Sequence, residues 1–365
     1  MTKLWWAQIR SVIRLEMKKT FFARRGLWIY ILALLPFLLF LSQFFIASRL
    51  RARNSEIAAR SEKKLTEQDL HAIQPDMTSE EVIALLGKPP VRYRWNQRRR
   101  LDNGTFVVIP RETYKYSDGL NSLFLSLEDG KVVSINVQGF TLTGDSVVFA
   151  GVFQFFYLRL AIFFGCLGIF INLFRGEILD KSLHFYFLAP IRRDVLMVGK
   201  FLAGLLATCA IFVTSELLQI IVFTGQFSPN VRELYLYHNH GLAQGAAYLG
   251  ITALACLGYG AFFLAAGMLF RNPILPAAVI LGWEAANPFL PALLQKVSVI
   301  YYLKSLCPVE IPTPPGTPAL LSLLVSNPDP VSTPVAIMGI VIMSLFVLYI
   351  SSLQVRRMEI NYTTE

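Results

Sequence analysis

Charged residues are distributed very unevenly along this chain. Residues 27–48, 242–270 and 335–353 carry no charge at all, 201–223 carry one acid, Glu216, and 155–174 carry only Arg159. Each run approaches or exceeds the roughly 20 apolar residues that cross a bilayer core. A sixth apolar run, 274–294, is interrupted by Pro276, Pro288 and Pro291 and includes Glu284. The pattern predicts an α-helical integral membrane protein with six transmembrane helices, at 27–48, 155–174, 201–223, 242–270, 274–294 and 335–353.

The period changes between the first two spans. In "DMTSEEVIALLGKPP", Thr78 and Glu81 stand at capping-box spacing, and Val82, Leu85 and Leu86 share one helical face. Gly87 is a stop signal, and Pro89 and Pro90 prevent resumption. Further on, Leu123, Leu125 and Leu127 alternate, Asp129-Gly130 makes a turn, and residues 132–137 return. That is a hairpin pattern. Residues 49–146 therefore read as an α+β domain inserted between helices 1 and 2, with Tyr93, Trp95, Phe106 and Tyr116 as aromatic core candidates. Either this domain packs on the ends of the spans or it binds a partner.

Composition agrees with the membrane reading. The 365 residues are 54% hydrophobic and 16% charged, with mean hydropathy +0.50, outside the ordinary soluble range. The net charge of +10 raises nucleic acid as a partner, but no reading module is visible. Basic flanks on cytoplasmic loops account for the charge instead. Residues 1–26 place Trp5, Ile9, Val12 and Ile13 at helical spacing, with Arg10, Arg14, Lys18 and Lys19 elsewhere around the helix. This reads as a cytoplasmic amphipathic helix lying on an anionic leaflet, followed by Arg24 and Arg25 at the first span. The basic region is too long for a cleaved signal peptide. The positive-inside rule then places both termini in the cytoplasm and residues 49–146 outside. Cys166, Cys209 and Cys256 lie inside spans and Cys307 stands alone, so no disulfide framework is implied.

The chemistry-bearing candidates are few. The loop 175–200, "RGEILDKSLHFYFLAPIRRDVLMVGK", falls on the cytoplasmic side. Glu177, Asp180, Lys181 and His184 gather on one side of a short helix, and Leu179, Leu183, Tyr186 and Phe187 on the other. Glu177 and Lys181 make an i,i+4 pair, worth about 0.3–0.5 kcal/mol if exposed. Pro190 ends this helix and Asp194 caps the next. From the residues alone the loop is either a surface helix that transmits force when a partner grips it or a solvated turn with a basic flank, and the second is favoured. Glu216 and Glu284 are intramembrane acids, a costly placement that points to a cavity or a partner helix. Glu216 favours a functional or interface role, and for Glu284 that role and simple packing stand level. "YHNH" sets His238 and His240 together without a third ligand, so no metal site is assigned. No H-E-x-x-H or G-x-S-x-G is present, and no catalytic residue is assigned. No G-x-x-x-x-G-K-[ST] occurs either, so any ATP hydrolysis belongs to another polypeptide.

Two resemblances bear on these residues. Glu177, Ser182-Leu183, Pro190-x-x-Arg193 and Gly199-Lys200 resemble the signature of type-2 ABC transporter permeases, and residues 283–306 resemble the fifth span of that family with its following outer segment. The likeness covers the six spans and both termini and leaves out the insert. It implies a permease dimer, homo- or heteromeric, whose loop 175–200 engages a separate nucleotide-binding subunit carrying ATP and Mg. In the insert, "MTSEEVIALLGKPP", "ETYKYSDG" and "LFLSLEDGKVVSI", within about 70–138, resemble the SmpA/OmlA family of envelope assembly lipoproteins, which pair two helices with a three-stranded sheet. The lipidated cysteine of that family is absent. Together they imply an exporter subunit in a bacterial inner membrane, moving an unidentified cargo. The alternative is a membrane-anchored envelope assembly or binding protein acting through its insert, with an envelope partner there.

Overall fold

The computed structural model describes residues 2–22, 26–63, 65, 69, 72–100, 106–119, 121–139, 142–179, 191–270, 272, 274–312 and 331–357. The chain forms two compact units. One comprises Met1–Leu41, Ser146–Thr224 and Ser228–Glu365, and the other comprises Ser42–Asp145 with Gly225–Phe227.

The first unit is helical. Helix α1 is Thr2–Phe22 and α2 is Leu27–Arg60, which continues into the second unit. Three segments wind on without a break from the second unit's border: α4 (Leu142–Gly151), a π-helical stretch Val152–Ile162, and α5 (Phe163–Leu179). Then come α6 (Arg193–Gly225), α7 (Pro229–Glu233), a π turn Leu234–His238 and α8 (Gly241–Leu269). The remainder is α9 (Ile274–Ala286), a 3-10 turn Asn287–Phe289, α10 (Ala292–Gln295), α11 (Val299–Ser305) and α12 (Thr333–Arg357). Five of these helical segments are long and apolar enough to cross a membrane: Leu27–Arg60, Gly144–Ile178, Arg193–Gly225, Gly241–Leu269 and Thr333–Arg356.

Two expectations change in detail. The apolar run 274–294 is not one span-length helix. Its 13-residue α9 rises only about 20 Å, and Pro288 and Pro291 break the winding that follows. The first apolar run, by contrast, does not end at Ser48. The helix runs to Arg60, because residues 49–60 hold no proline or glycine and the ladder has nothing to stop it.

Small residues let the long helices approach. A Cβ at Gly204 on α6 would lie 2.8 Å from Phe170 Cε1, and one at Gly260 on α8 would lie 2.5 Å from Phe170 Cζ. Phe170 of α5 thus wedges against both neighbours, which is how helices pack where no water drives them together. Phe149, Phe153, Tyr157, Phe212, Phe223 and Tyr248 fill another level of the bundle with ring contacts at centroid distances of 4.7–6.0 Å. Outward faces stay apolar: Ile31 and Leu38 on α2, Ile274 and Val279 on α9, and Ile342 and Phe346 on α12 are exposed.

The second unit holds α3 (Ser79–Leu86) and a four-stranded antiparallel sheet in the order β1-β2-β3-β4: Val91–Arg100, Phe106–Ser117, Ser122–Glu128 and Lys131–Gln138. The capping box is formed in both directions: Thr78 Oγ1 accepts from Glu81 N–H, and Glu81 Oε2 accepts from Thr78 N–H at 2.8 Å. The hairpin turn takes φ of 50° at Asp129 and 78° at Gly130, the pair of left-handed residues that a two-residue turn needs. The core is Val82 and Leu86 from α3 against Tyr114, Tyr116, Leu123, Leu125, Leu127 and Val132 from the sheet.

Two aromatic core candidates are misplaced by the sequence reading. Tyr93 and Trp95 are 55% and 45% exposed. Strand register explains this: Tyr93 pairs with Thr113 and Trp95 with Arg111, whereas Tyr114 and Tyr116 point to the opposite, covered face. Trp95 instead donates Nε1–H to Thr113 Oγ1 at 3.3 Å and lies under Arg111. Tyr114 replaces them in the core, and the Phe106 side chain lies outside the described residues.

Glu112 ties β1 to β2. Partial burial alone would raise its carboxyl, but hydrogen bonds from Arg92, Tyr114 and Arg94 outweigh that and hold it below its ordinary 4.5. A depressed carboxylate contributes stability above its unfolded value and loses it as pH falls through the folded value. Residues 65–140 expressed alone are expected to give a dispersed amide spectrum, since the core is internal to them. Stability of that fragment should drop as pH falls below 4.5, and Glu112→Gln should flatten the drop in a denaturant series at stepped pH. A random-coil spectrum contradicts the first expectation, and an unchanged acid limb in Glu112→Gln contradicts the second.

Candidate functional site: an ionic joint between three helix ends

The loop candidates with described positions do not sit in a solvated turn. Lys200, near the start of α6, is fully buried, and its ammonium donates to Glu16 Oε1 of α1 at 2.7 Å, to Glu177 Oε2 of α5 at 2.7 Å and to the Leu173 carbonyl at 2.9 Å. All three of its protons are therefore placed. Its Nζ also stands 5.4 Å from the Phe174 ring centroid. The other oxygen of Glu177 accepts from Lys19 Nζ at 2.9 Å. Among the described residues two acids and two lysines thus form a knot that fastens α1 to the end of α5 and the start of α6.

Gly199 makes this knot possible. A Cβ there would stand 3.0 Å from Val12 Cγ1 and 3.1 Å from Val12 Cβ, so the absence of a side chain lets α1 lie against α6 one residue before Lys200. Val12 and Glu16 are buried, one turn apart on the same face of α1. This face of α1 is held by protein, while Trp6 on another face is 68% exposed. Helical spacing identified an apolar side of α1 but not what covers it.

A second set of contacts surrounds the first. Arg193 Nη1 donates to the Arg356 carbonyl at 3.1 Å, at the end of α12, and Arg356 reaches back to Asp194 Oδ2 at 3.2 Å. Arg192 pairs with Asp194 at 2.8 Å and covers the Trp5 ring at 4.8 Å. The first residues of α6 therefore touch α1, α5 and the last turn of α12. Ser182, Leu183 and Pro190 lie outside the described residues, as do Lys181 and the short helix expected there.

Sequence reasoning missed Glu16 and Lys19. The available signal was that Glu16 is the only acid in an otherwise basic α1. The i,i+4 spacing to Lys181, a residue outside the described ones, gave no sign that Glu177 is 6% exposed and bound to Lys200 and Lys19.

The two acids of the apolar runs separate by environment. Glu284 of α9 accepts from Ser298 Oγ at 2.8 Å and from the Val299 and Ile300 N–H groups at 3.0 and 2.8 Å. It caps α11 from a distance and satisfies that helix's first free donors. Glu216 of α6 is also fully buried, but neither carboxylate oxygen has a hydrogen-bond partner among the described residues. His238 and His240 lie at the π turn before α8.

No family model matches the chain, and no curated protein or solved structure matches it.

Breaking a buried ion pair by removing one partner costs about 3–5 kcal/mol, whereas replacing the whole set with apolar or neutral groups is often tolerated. Lys200→Met in an otherwise intact chain should therefore lower thermal stability markedly in detergent micelles. The triple variant Glu16→Gln, Glu177→Gln, Lys200→Met should recover most of the loss. Equal melting temperatures for wild type and Lys200→Met would show that the knot is not held in solution. Gly199→Leu should destabilise by a different route, by driving Val12 and α1 away from α6.

Proposed function

We propose that this chain is the membrane-spanning permease subunit of an ABC exporter, with α9 and the turns after it as a sixth, broken crossing. The supporting observation is the ionic joint. Glu177, Gly199 and Lys200, three elements of the permease-like signature, sit in one buried contact that binds the N-terminal helix to both helices flanking residues 180–190. A push on that loop would move α1, α5 and α6 as one piece, because a buried salt-bridged joint resists shear. The chain carries no phosphate-binding loop of its own, so ATP and Mg act in a separate nucleotide-binding subunit, and a second permease subunit, identical or different, completes the pathway. On this reading the host membrane is the bacterial inner membrane and both termini are cytoplasmic.

A second reading, an envelope assembly or binding protein acting through residues 49–146, draws on the separate core of the second compact unit. The two readings part at the loop. Leu183→Asp and Arg193→Ala change none of Glu16, Lys19, Glu177 and Lys200 and should insert and express normally. For an exporter they should abolish retention of the ATPase subunit in pull-downs and reduce cargo-stimulated ATP turnover in proteoliposomes. Wild-type behaviour in both assays would favour the insert-centred reading.

A further inference from the structure

Inside the helical unit a group of buried oxygens has been left without partners. Among the described residues they are both carboxylate oxygens of Glu216, the amide oxygen of Gln154, the hydroxyl of Tyr248 and the hydroxyl of Thr252. Gln154, Glu216 and Thr252 are fully buried and Tyr248 is 3% exposed. Burying one such group unpaired costs about 1–3 kcal/mol, and an unpaired carboxylate costs more. Five together on neighbouring helices call for a ligand.

Helix register brings them to one level. Tyr157 donates its hydroxyl to the Phe212 carbonyl at 2.5 Å, which aligns the π-helical stretch with α6 one turn before Glu216. Gln154 lies one turn from Tyr157 on the side toward which α6 advances to Glu216. Tyr248 of α8 touches Phe153, the residue before Gln154, and Thr252 lies one turn further along α8. The Tyr248 ring is fixed edge-on between Phe149 and Phe153, at 5.2 and 4.7 Å. Gln154 donates its amide N–H to the Val309 carbonyl at 3.3 Å, which turns its oxygen away from that contact. Ser215 and Gln219 do not compete for Glu216: Ser215 donates to the Ala33 carbonyl of α2, and Gln219 donates to Ser215. The π winding of Val152–Ile162 coincides with the residues concerned, as such windings often do at functional sites.

We propose that Gln154, Glu216, Tyr248 and Thr252 form a binding site for a small monovalent cation of the sodium class within the helical bundle. The donor set is all oxygen, which suits a hard cation and excludes a soft one. It holds one formal negative charge. Among the described residues no cluster of three His, Cys, Asp or Glu side chains supplies the further charge a divalent ion would need. A bound monovalent cation leaves the site neutral and gives each orphaned oxygen a partner. The inference does not depend on the exporter reading, since the site needs neither the loop nor an ATPase.

The test uses the full chain in detergent or nanodiscs, with radioactive sodium as the probe. Saturable binding is expected, displaced by unlabelled sodium and not by choline, with a higher melting temperature in sodium chloride than in choline chloride at equal ionic strength. Glu216→Gln keeps the side-chain shape and removes the charge, and it should weaken binding at least about tenfold, equivalent to 1.4 kcal/mol, and abolish the sodium-dependent melting shift. If that variant fails to fold, Tyr248→Phe and Thr252→Val each remove one ligand and should raise the sodium Kd. No saturable binding by the wild-type chain overturns the proposal. So does unchanged affinity in Glu216→Gln, or in both single-ligand variants.

Discussion

The ammonium of Lys200 is the point on which the helical unit depends. A lysine without a partner at zero exposure would be far costlier than any contact nearby could offset. Its survival as a buried group requires Glu16, Glu177 and the Leu173 carbonyl to stand within 3 Å of one atom. That requirement fixes the rotation of α1, the register of α5 and the entry of α6 together. Gly199 and Val12 then follow as steric conditions for the same approach. Apolar packing such as Phe170 against Gly204 and Gly260 supplies most of the contact area elsewhere, but it tolerates sliding more readily than a three-pointed ionic contact does.

The same chemistry explains the difference between the two intramembrane acids. Glu284 has found the first N–H groups of α11 and a serine hydroxyl, so its role is closed and structural. Glu216 has found nothing among the described residues, although it is as deeply buried. Composition treats these residues alike, since each is a single acid in an apolar run. What separates them is whether a helix happens to begin within reach. Pro288 and Pro291 create that beginning for Glu284 by ending α9 and turning the chain back toward it.

The inserted unit shows how sharply pattern reading stops at register. The capping box at Thr78 and Glu81 and the turn at Asp129-Gly130 were visible because each depends on residues three or fewer positions apart. Tyr93 and Trp95 failed as core candidates because their face was set by pairing with β2, some twenty residues away. Alternation in β1 is masked by arginines at 92 and 94, which pair with Glu112 on the opposite strand. No local signal says which side of such a strand is covered.

The sequence by itself determined that the chain is helical and apolar enough to enter a membrane, where most long helices lie, and that a differently patterned segment interrupts them. These properties arise from composition and from short periodicities, and hydrogen-bond satisfaction in an apolar medium leaves the backbone little choice. Only the tertiary structure decided which charges meet. Glu16 and Lys200 are 184 positions apart, and Glu177 meets a lysine twenty-three positions away. A charge pair forms according to distance in space and loss of solvent, and neither quantity is written in the spacing of residues along the chain.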